Sequence, residues 1–244
     1  MSLDIRQMPS PNFTKGRGAW KPDMIVCHIS EGSYESGCEW LCNPASGVSA
    51  HFFVGKLGQV TQLVDIADTA WSNATSSDPT DNRYYGCSKL KTVQERKVNA
   101  NNYTVAIEHE GVYAQTRGAL TDAQLNATTE LIAKIIGDAK ARFGVTIPLD
   151  REHIVGHCEL VPKWKPNCPG EKFPYDEIIR RLQEMNAPET SVEKRYNRVE
   201  EMPDWAKAPI QKLIDSGALA GDTNGDLDLS FDMMRILVIM GRIK

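Results

Sequence analysis

Over the first two thirds of the chain, apolar residues come in short runs set off by polar punctuation, and the period of each run assigns it an element. Met24-Ile25-Val26-Cys27-His28-Ile29 is rich in β-branched residues and stops at Ser30-Glu31-Gly32, which predicts a buried strand with His28 near its C-terminal end. Ala50 to Val64 reads as two strands around a turn at Lys56-Leu57-Gly58, a hairpin. Val105 to Gly111 reads as a strand with Val105, Ile107 and His109 on one face and Ala106, Glu108 and Glu110 on the other, so two carboxylates share a face. The clearest helix runs from Thr121 to about Phe143. Thr121 with Gln124 forms a capping-box pattern, Leu125, Ile132, Ile135 and Ile136 supply the apolar stripe, and Gly144 is the stop. His153 to His157 reads as another short strand and Tyr175 to Met185 as a second amphipathic helix. Alternating strands and helices predict an α/β or α+β domain, a central mixed sheet flanked by helices.

Other stretches lack a period. Residues 1 to 22 contain Pro9, Pro11, Gly16, Gly18 and Pro22, too much punctuation for a regular element. Ser72 to Asn102 reads as a long loop at a site rim. Residues 186–201 read as a linker, which sets a first domain at 1–185 and a second unit at 202–244. In that unit Pro203 opens a helix carrying Trp205, Ile210, Leu213 and Ile214, Gly217 closes it, and Phe231 to Met240 is another apolar helix. Such a small helical module has little core of its own. Asp222 to Asp228 begins like a calcium loop, but Leu227 stands where the sixth-place glycine belongs and Met233 where the twelfth-place glutamate belongs, so a polar turn is the better reading.

Composition narrows the partners. The chain has 244 residues, room for one catalytic domain and a small appendage. Its net charge is -4 and no run of Lys and Arg is long enough to grip a phosphate backbone, so nucleic acid is not an expected partner. No window approaches the roughly 20 apolar residues that cross a bilayer, and no basic segment leads into an apolar stretch at the start, so neither membrane insertion nor Sec-type export is expected. Six cysteines, at 27, 38, 42, 87, 158 and 168, are expected as free thiols in a reducing compartment. Cys38 and Cys42 share a helix face, and Cys27 and Cys158 adjoin His28 and His157 on strands, where neighbours point to opposite faces.

Five histidines, at 28, 51, 109, 153 and 157, are candidate ligands. His153 and His157 would pair on a helix, but Ile154 and Val155 favour a strand, where four residues span roughly 13 Å, too far for one metal. His157 is retained and His153 is read as structural. A proline-bounded loop after His157 leads to Cys168 and can return it beside that histidine. Two nitrogens and one thiolate would leave a tetrahedral zinc one open position, the vacancy catalysis needs. On these residues alone, buried core histidines remain the plainer alternative.

The segments VCHIS, SAHFFVGKLGQVTQLV, AW, NNYTVAIEHEG and HIVGHCELVPKWKPNCPG, in this order, resemble the amidase-2 family of N-acetylmuramoyl-L-alanine amidases, related to peptidoglycan recognition proteins and phage amidases. The resemblance covers roughly residues 20 to 183. It implies a zinc ion held by His28, His157 and Cys168, with bacterial peptidoglycan as substrate. It also implies a base at Glu108, because the family's other base, a tyrosine before the hairpin histidine, is replaced by Ala50. His51 is then a structural or rim residue and Glu110 an auxiliary or solvated carboxylate. Where the family commonly has a lysine two places before the last ligand this chain has Pro166, which moves that role to Lys165; after Ala70-Trp71 the family's histidine is Ser72. The last forty residues resemble modules that follow catalytic domains in endolysins of phages of Gram-positive bacteria and, more faintly, surface-layer-homology helix pairs. Wall binding or self-association would suit them, with plain structural capping as the alternative. The combined expectation is an endolysin that stays in the host cytoplasm until a holin releases it to the wall. The alternatives are a peptidoglycan-binding protein that does not cut, and an enzyme of muropeptide recycling.

Overall fold

The computed structural model describes residues 3–73, 75–186 and 194–242. It divides into two compact units, Met1–Asn186 and Ala187–Lys244. In the first, strands β1 (Ile5–Gln7), β2 (Phe13–Thr14) and β3 (Met24–Ile29) are followed by helix α1 (Tyr34–Cys42), then by β4 (Phe52–Val54), β5 (Val60–Gln62) and β6 (Thr69–Ala70). Helix α2 (Lys91–Arg96), β7 (Thr104–His109), the short α3 (Tyr113–Thr116) and the long α4 (Asp122–Phe143) come next. Strand β8 (Ile154–Gly156), the one-turn α5 (His157–Leu160) and α6 (Tyr175–Asn186) complete the unit.

Six strands form one mixed sheet in the order β1-β5-β4-β7-β3-β8. The β4–β5 hairpin is antiparallel, while β4, β7, β3 and β8 run parallel. A parallel sheet must be covered on both faces. One face, with Ile25, Cys27, Val105, Ile107 and Ile154, packs on Leu131, Ile132 and Ile135 of α4 and on Ile178 and Leu182 of α6. The other is covered in two patches: α1 and the hairpin around Phe53, and the segment before β7 around Tyr85, Leu90, Val93 and Tyr103. The period-2 split of β7 is therefore realised, Val105 and Ile107 facing α4 and Ala106 facing α1. Helix α4 begins and ends as its caps dictate. Thr121 accepts the Gln124 amide and Gly144 takes a left-handed φ of 68°. Gln124 does not close the capping box; its side-chain amide donates to the carbonyls of Val54 and Glu110, tying the helix start to the sheet.

Three expectations change. Residues 1–22 do contain strands: β1 adds to the sheet edge beside β5, and β2 pairs with β6. Their side chains are mostly polar and partly exposed, so main-chain pairing leaves no apolar alternation to read. Residues 72–102 are more than a loop, holding α2 and short 3-10 turns and supplying the buried side chains of one patch. Helix α2 has one buried residue, Val93, and no side-chain cap, too little signal for a period. Of the expected linker, residues 187–193 lie outside the described residues, while 194–201 belong to the second unit: Tyr196 bridges to Leu229 and joins its core.

The second unit has helices α7 (Asp204–Asp215) and α8 (Phe231–Arg242), packed through Ala206, Ile210, Met234 and Val238. Pro209 sits inside α7. Asp222 accepts the amides of Asn224 and Asp226, which makes the calcium-like stretch a self-bonded turn. No described helix is long and apolar enough to cross a membrane.

Candidate metal and catalytic site

Three adjacent parallel strands deliver their C-terminal ends to one place, the edge of an α/β sheet where ligands commonly bind. His28 lies next to last in β3, Glu108 is its register partner in β7, and His157 follows β8 directly as the first residue of α5. The fourth member arrives on a loop. The Cys158 amide donates to the Cys168 carbonyl at 2.7 Å, and the Ile29 amide points at Cys168 Sγ at 3.4 Å. Gly170, at a φ of 127°, lets this loop dock: a Cβ there would overlap the Arg117 carbonyl.

The Nδ1 atoms of His28 and His157 face each other at 3.0 Å, and Cys168 Sγ is 3.9 Å from His28 Nδ1. The three ligand atoms lie within 4.8 Å of one another. Zinc, with bonds of about 2.0–2.1 Å to nitrogen and about 2.3 Å to sulfur, spans such separations tetrahedrally. The tautomer agrees: His157 Nε2 meets the Asn73 carbonyl at 2.9 Å, and since a carbonyl only accepts, Nε2 carries the proton and Nδ1 offers its lone pair to the centre of the site. This donor set fits a zinc ion. Among the described residues it is the one His, Cys and carboxylate group so placed.

Glu108 Oε1 lies 4.0 Å from His28 Nδ1, and its Oε2 is buried without a hydrogen-bond partner among the described residues. Burial raises the Glu108 carboxyl to about 7, with the Lys165 charge opposing the shift. Burial drives His28 well below its ordinary value, helped by His157, and brings His157 down to about 4. It also pushes the Cys168 thiol up, with the Glu108 charge adding to the effect. The imidazoles are held neutral, the form in which a histidine ligates a metal, and a bound cation would favour the Cys168 thiolate. These residues line an open cavity of about 310 Å³, whose rim includes Lys165, Trp40 and Trp71.

His28, Glu108, His157, Lys165 and Cys168 are thus brought together as the sequence implies. The rejected histidines stand elsewhere. His153 pairs with Asp150 at 2.7 Å, and His51 accepts the Ala106 amide beside buried Arg17. His109 donates to the His28 carbonyl and accepts from Thr128, bracing β3. Cys158 lies on α5 rather than on a strand, and its thiol is not in the ligand group. Glu110, half-buried, accepts the Lys56 amide at 2.7 Å and fastens the hairpin turn. Sequence reasoning missed Asn73, which sits in the stretch read as a loop; its only signal was a polar residue just after the Ala-Trp pair.

Several known proteins are similar to this chain. N-acetylmuramoyl-L-alanine amidase A of Achromobacter lyticus is 30% identical over 166 residues, 62% of this chain and 77% of that protein. The 1,6-anhydro-N-acetylmuramyl-L-alanine amidase AmpD of Haemophilus influenzae is 27% identical over 194 residues, 72% of this chain and 91% of that one. A crystal structure of an AmpD selenomethionine derivative superposes with a TM-score of 0.51 at 22% identity, covering 75% of this chain and 99% of the other. The profile of the amidase-2 family, described as N-acetylmuramoyl-L-alanine amidase, matches residues 18–171, and the chain belongs to that family.

Proposed function

We propose that this protein is a zinc-dependent N-acetylmuramoyl-L-alanine amidase that hydrolyses the bond between the lactyl group of muramic acid and L-alanine in bacterial peptidoglycan. The convergence of His28, His157 and Cys168 beside Glu108 carries the reading. When bound there, zinc supplies acidification of water and polarisation of a carbonyl. Glu108, whose carboxyl is tuned near neutral pH, takes a proton from the attacking water as the new carbon–oxygen bond forms. It returns that proton to the alanine nitrogen as the carbon–nitrogen bond breaks. Lys165, whose charge bears on His28, Glu108, His157 and Cys168, would stabilise the negative charge that develops on the lactyl oxygen. A full ligand set disfavours a protein that only binds peptidoglycan.

We assign the enzyme to host lysis, an endolysin held in the cytoplasm until a holin releases it. The second unit supports this, since Trp205, Phe231, Ile236 and Ile239 leave apolar surface exposed for attachment to the wall or to a second copy. The AmpD relatives favour a second reading, cleavage of small anhydromuropeptides. Mass spectrometry of digests separates the two. Preference for intact walls supports lysis; preference for soluble anhydromuropeptides supports recycling; no cleavage of either overturns the amidase.

A further inference from the structure

We infer that Asn73 is the positioning residue of the metal centre, clamping both histidines by their Nε2 edges so that both Nδ1 atoms face Cys168. This rests on the metal reading proposed above. Asn73 is fully buried. Its carbonyl accepts from His157 Nε2 at 2.9 Å, and its side-chain Nδ2 donates to Thr104 Oγ1 at 2.7 Å. With Nδ2 so engaged, Oδ1 is the free end of the amide. That oxygen and His28 Nε2 are both buried and without a conventional hydrogen bond among the described residues. Two orphaned groups of matching chemistry, a ring nitrogen and an amide oxygen, thus belong to residues that both lie against His157, at 3.0 Å from its Nδ1 and 2.9 Å from its Nε2.

The clamp is itself held. Asn101 Oδ1 accepts the amides of both Ser72 and Asn73, at 3.2 and 2.8 Å, and Asn101 is buried. One asparagine thus serves one ligand through its main chain and the other through its side chain. Partners of this kind fix the tautomer and orientation of metal-bound histidines, and their loss commonly lowers metal affinity about 10–100-fold.

The test uses the full chain with Zn²⁺ alone as probe, in competition with a chromophoric chelator. Asn73→Ala removes the His28 contact but keeps the carbonyl for His157, and zinc affinity should fall about 10–100-fold. Asn73→Asp keeps an acceptor toward His28 and should restore most of the affinity. Histidine ¹⁵N spectra of the metal-free protein give a readout that packing alone would not move. His28 and His157 should both carry the proton on Nε2 in the wild type, and in Asn73→Ala only His28 should lose that preference. Unchanged affinity in Asn73→Ala, equal losses in both variants, or a wild-type His28 protonated on Nδ1 would overturn the proposal. The spectra decide even where Asn73→Ala does not fold. Failure of the wild type to bind zinc would instead overturn the metal reading.

Discussion

His28 and Glu108 are register partners in the parallel ladder of β3 and β7, and His28 Nδ1 lies 4.0 Å from Glu108 Oε1. Neighbouring strands lie about 4.8 Å apart, so the main chain itself sets the distance between the proposed first ligand and the proposed base. A slip of one residue would turn either side chain to the face packed on α4. His28 and Glu108 thus inherit the rigidity of the sheet core.

Removing the base should separate chemistry from metal binding. Glu108→Gln should lower amidase turnover by about 10²–10⁴-fold while the protein keeps its zinc. Metal analysis beside turnover assays checks this, and full activity in the variant would remove Glu108 from the mechanism.

Cys168 should make zinc binding release a proton. Burial and the Glu108 charge hold its thiol above the ordinary range, whereas the metal takes a thiolate. Calorimetric zinc titrations in buffers of different ionisation enthalpy should show about one proton leaving from this residue near neutral pH. Cys168→Ser should bind zinc more weakly and lose that proton; an unchanged proton count would exclude the thiol as a ligand.

Much of this site was legible in the sequence because strands announce themselves. Met24–Ile29 and Val105–His109 are short apolar runs, and their ends place His28 and Glu108 where an α/β sheet binds ligands. Cys168 was legible as a candidate from its proline-bounded loop but gained its role from family resemblance, and Lys165 was legible only through that resemblance, since a loop position has no period. Asn73 and α2 were hidden for a related reason. Their roles come from long-range hydrogen bonds and from packing by Tyr85, Leu90 and Val93 spread along a polar stretch. Strands β1 and β2 were hidden because they are short, mostly polar edge strands whose pairing leaves no apolar alternation to read.

Gly170 should be intolerant of a side chain. Alanine there faces both a φ of 127° and the Arg117 carbonyl, a strain of about 1–3 kcal/mol or more. Gly170→Ala should lower the unfolding midpoint and weaken zinc binding together, because the same loop carries Cys168. Wild-type values for both would show that the loop docks in another way.

Acid should destabilise the metal-free chain through its buried histidines. His51 is held at about 3, His109 and His157 at about 4, and His28 well below its ordinary value, each chiefly by burial. The unfolded chain takes these protons near pH 6.5 and the native chain does not, so stability falls as pH drops from about 6.5 toward 4. Glu108 acts in the opposite sense, because at about 7 it keeps a proton that the unfolded chain releases above about 4.5. In chelator, unfolding at pH 5 should take up about three protons net. Denaturant midpoints measured from pH 7 to 5 check this, and a flat profile would contradict the buried neutral rings.

The most direct test incubates purified protein with bacterial cell walls, with zinc and with excess chelator, and measures newly exposed L-alanine N-termini. Their appearance with zinc, loss in chelator and return on adding zinc back is the expected result. Release of reducing sugar ends without new L-alanine termini, or cleavage indifferent to the chelator, would contradict a zinc amidase.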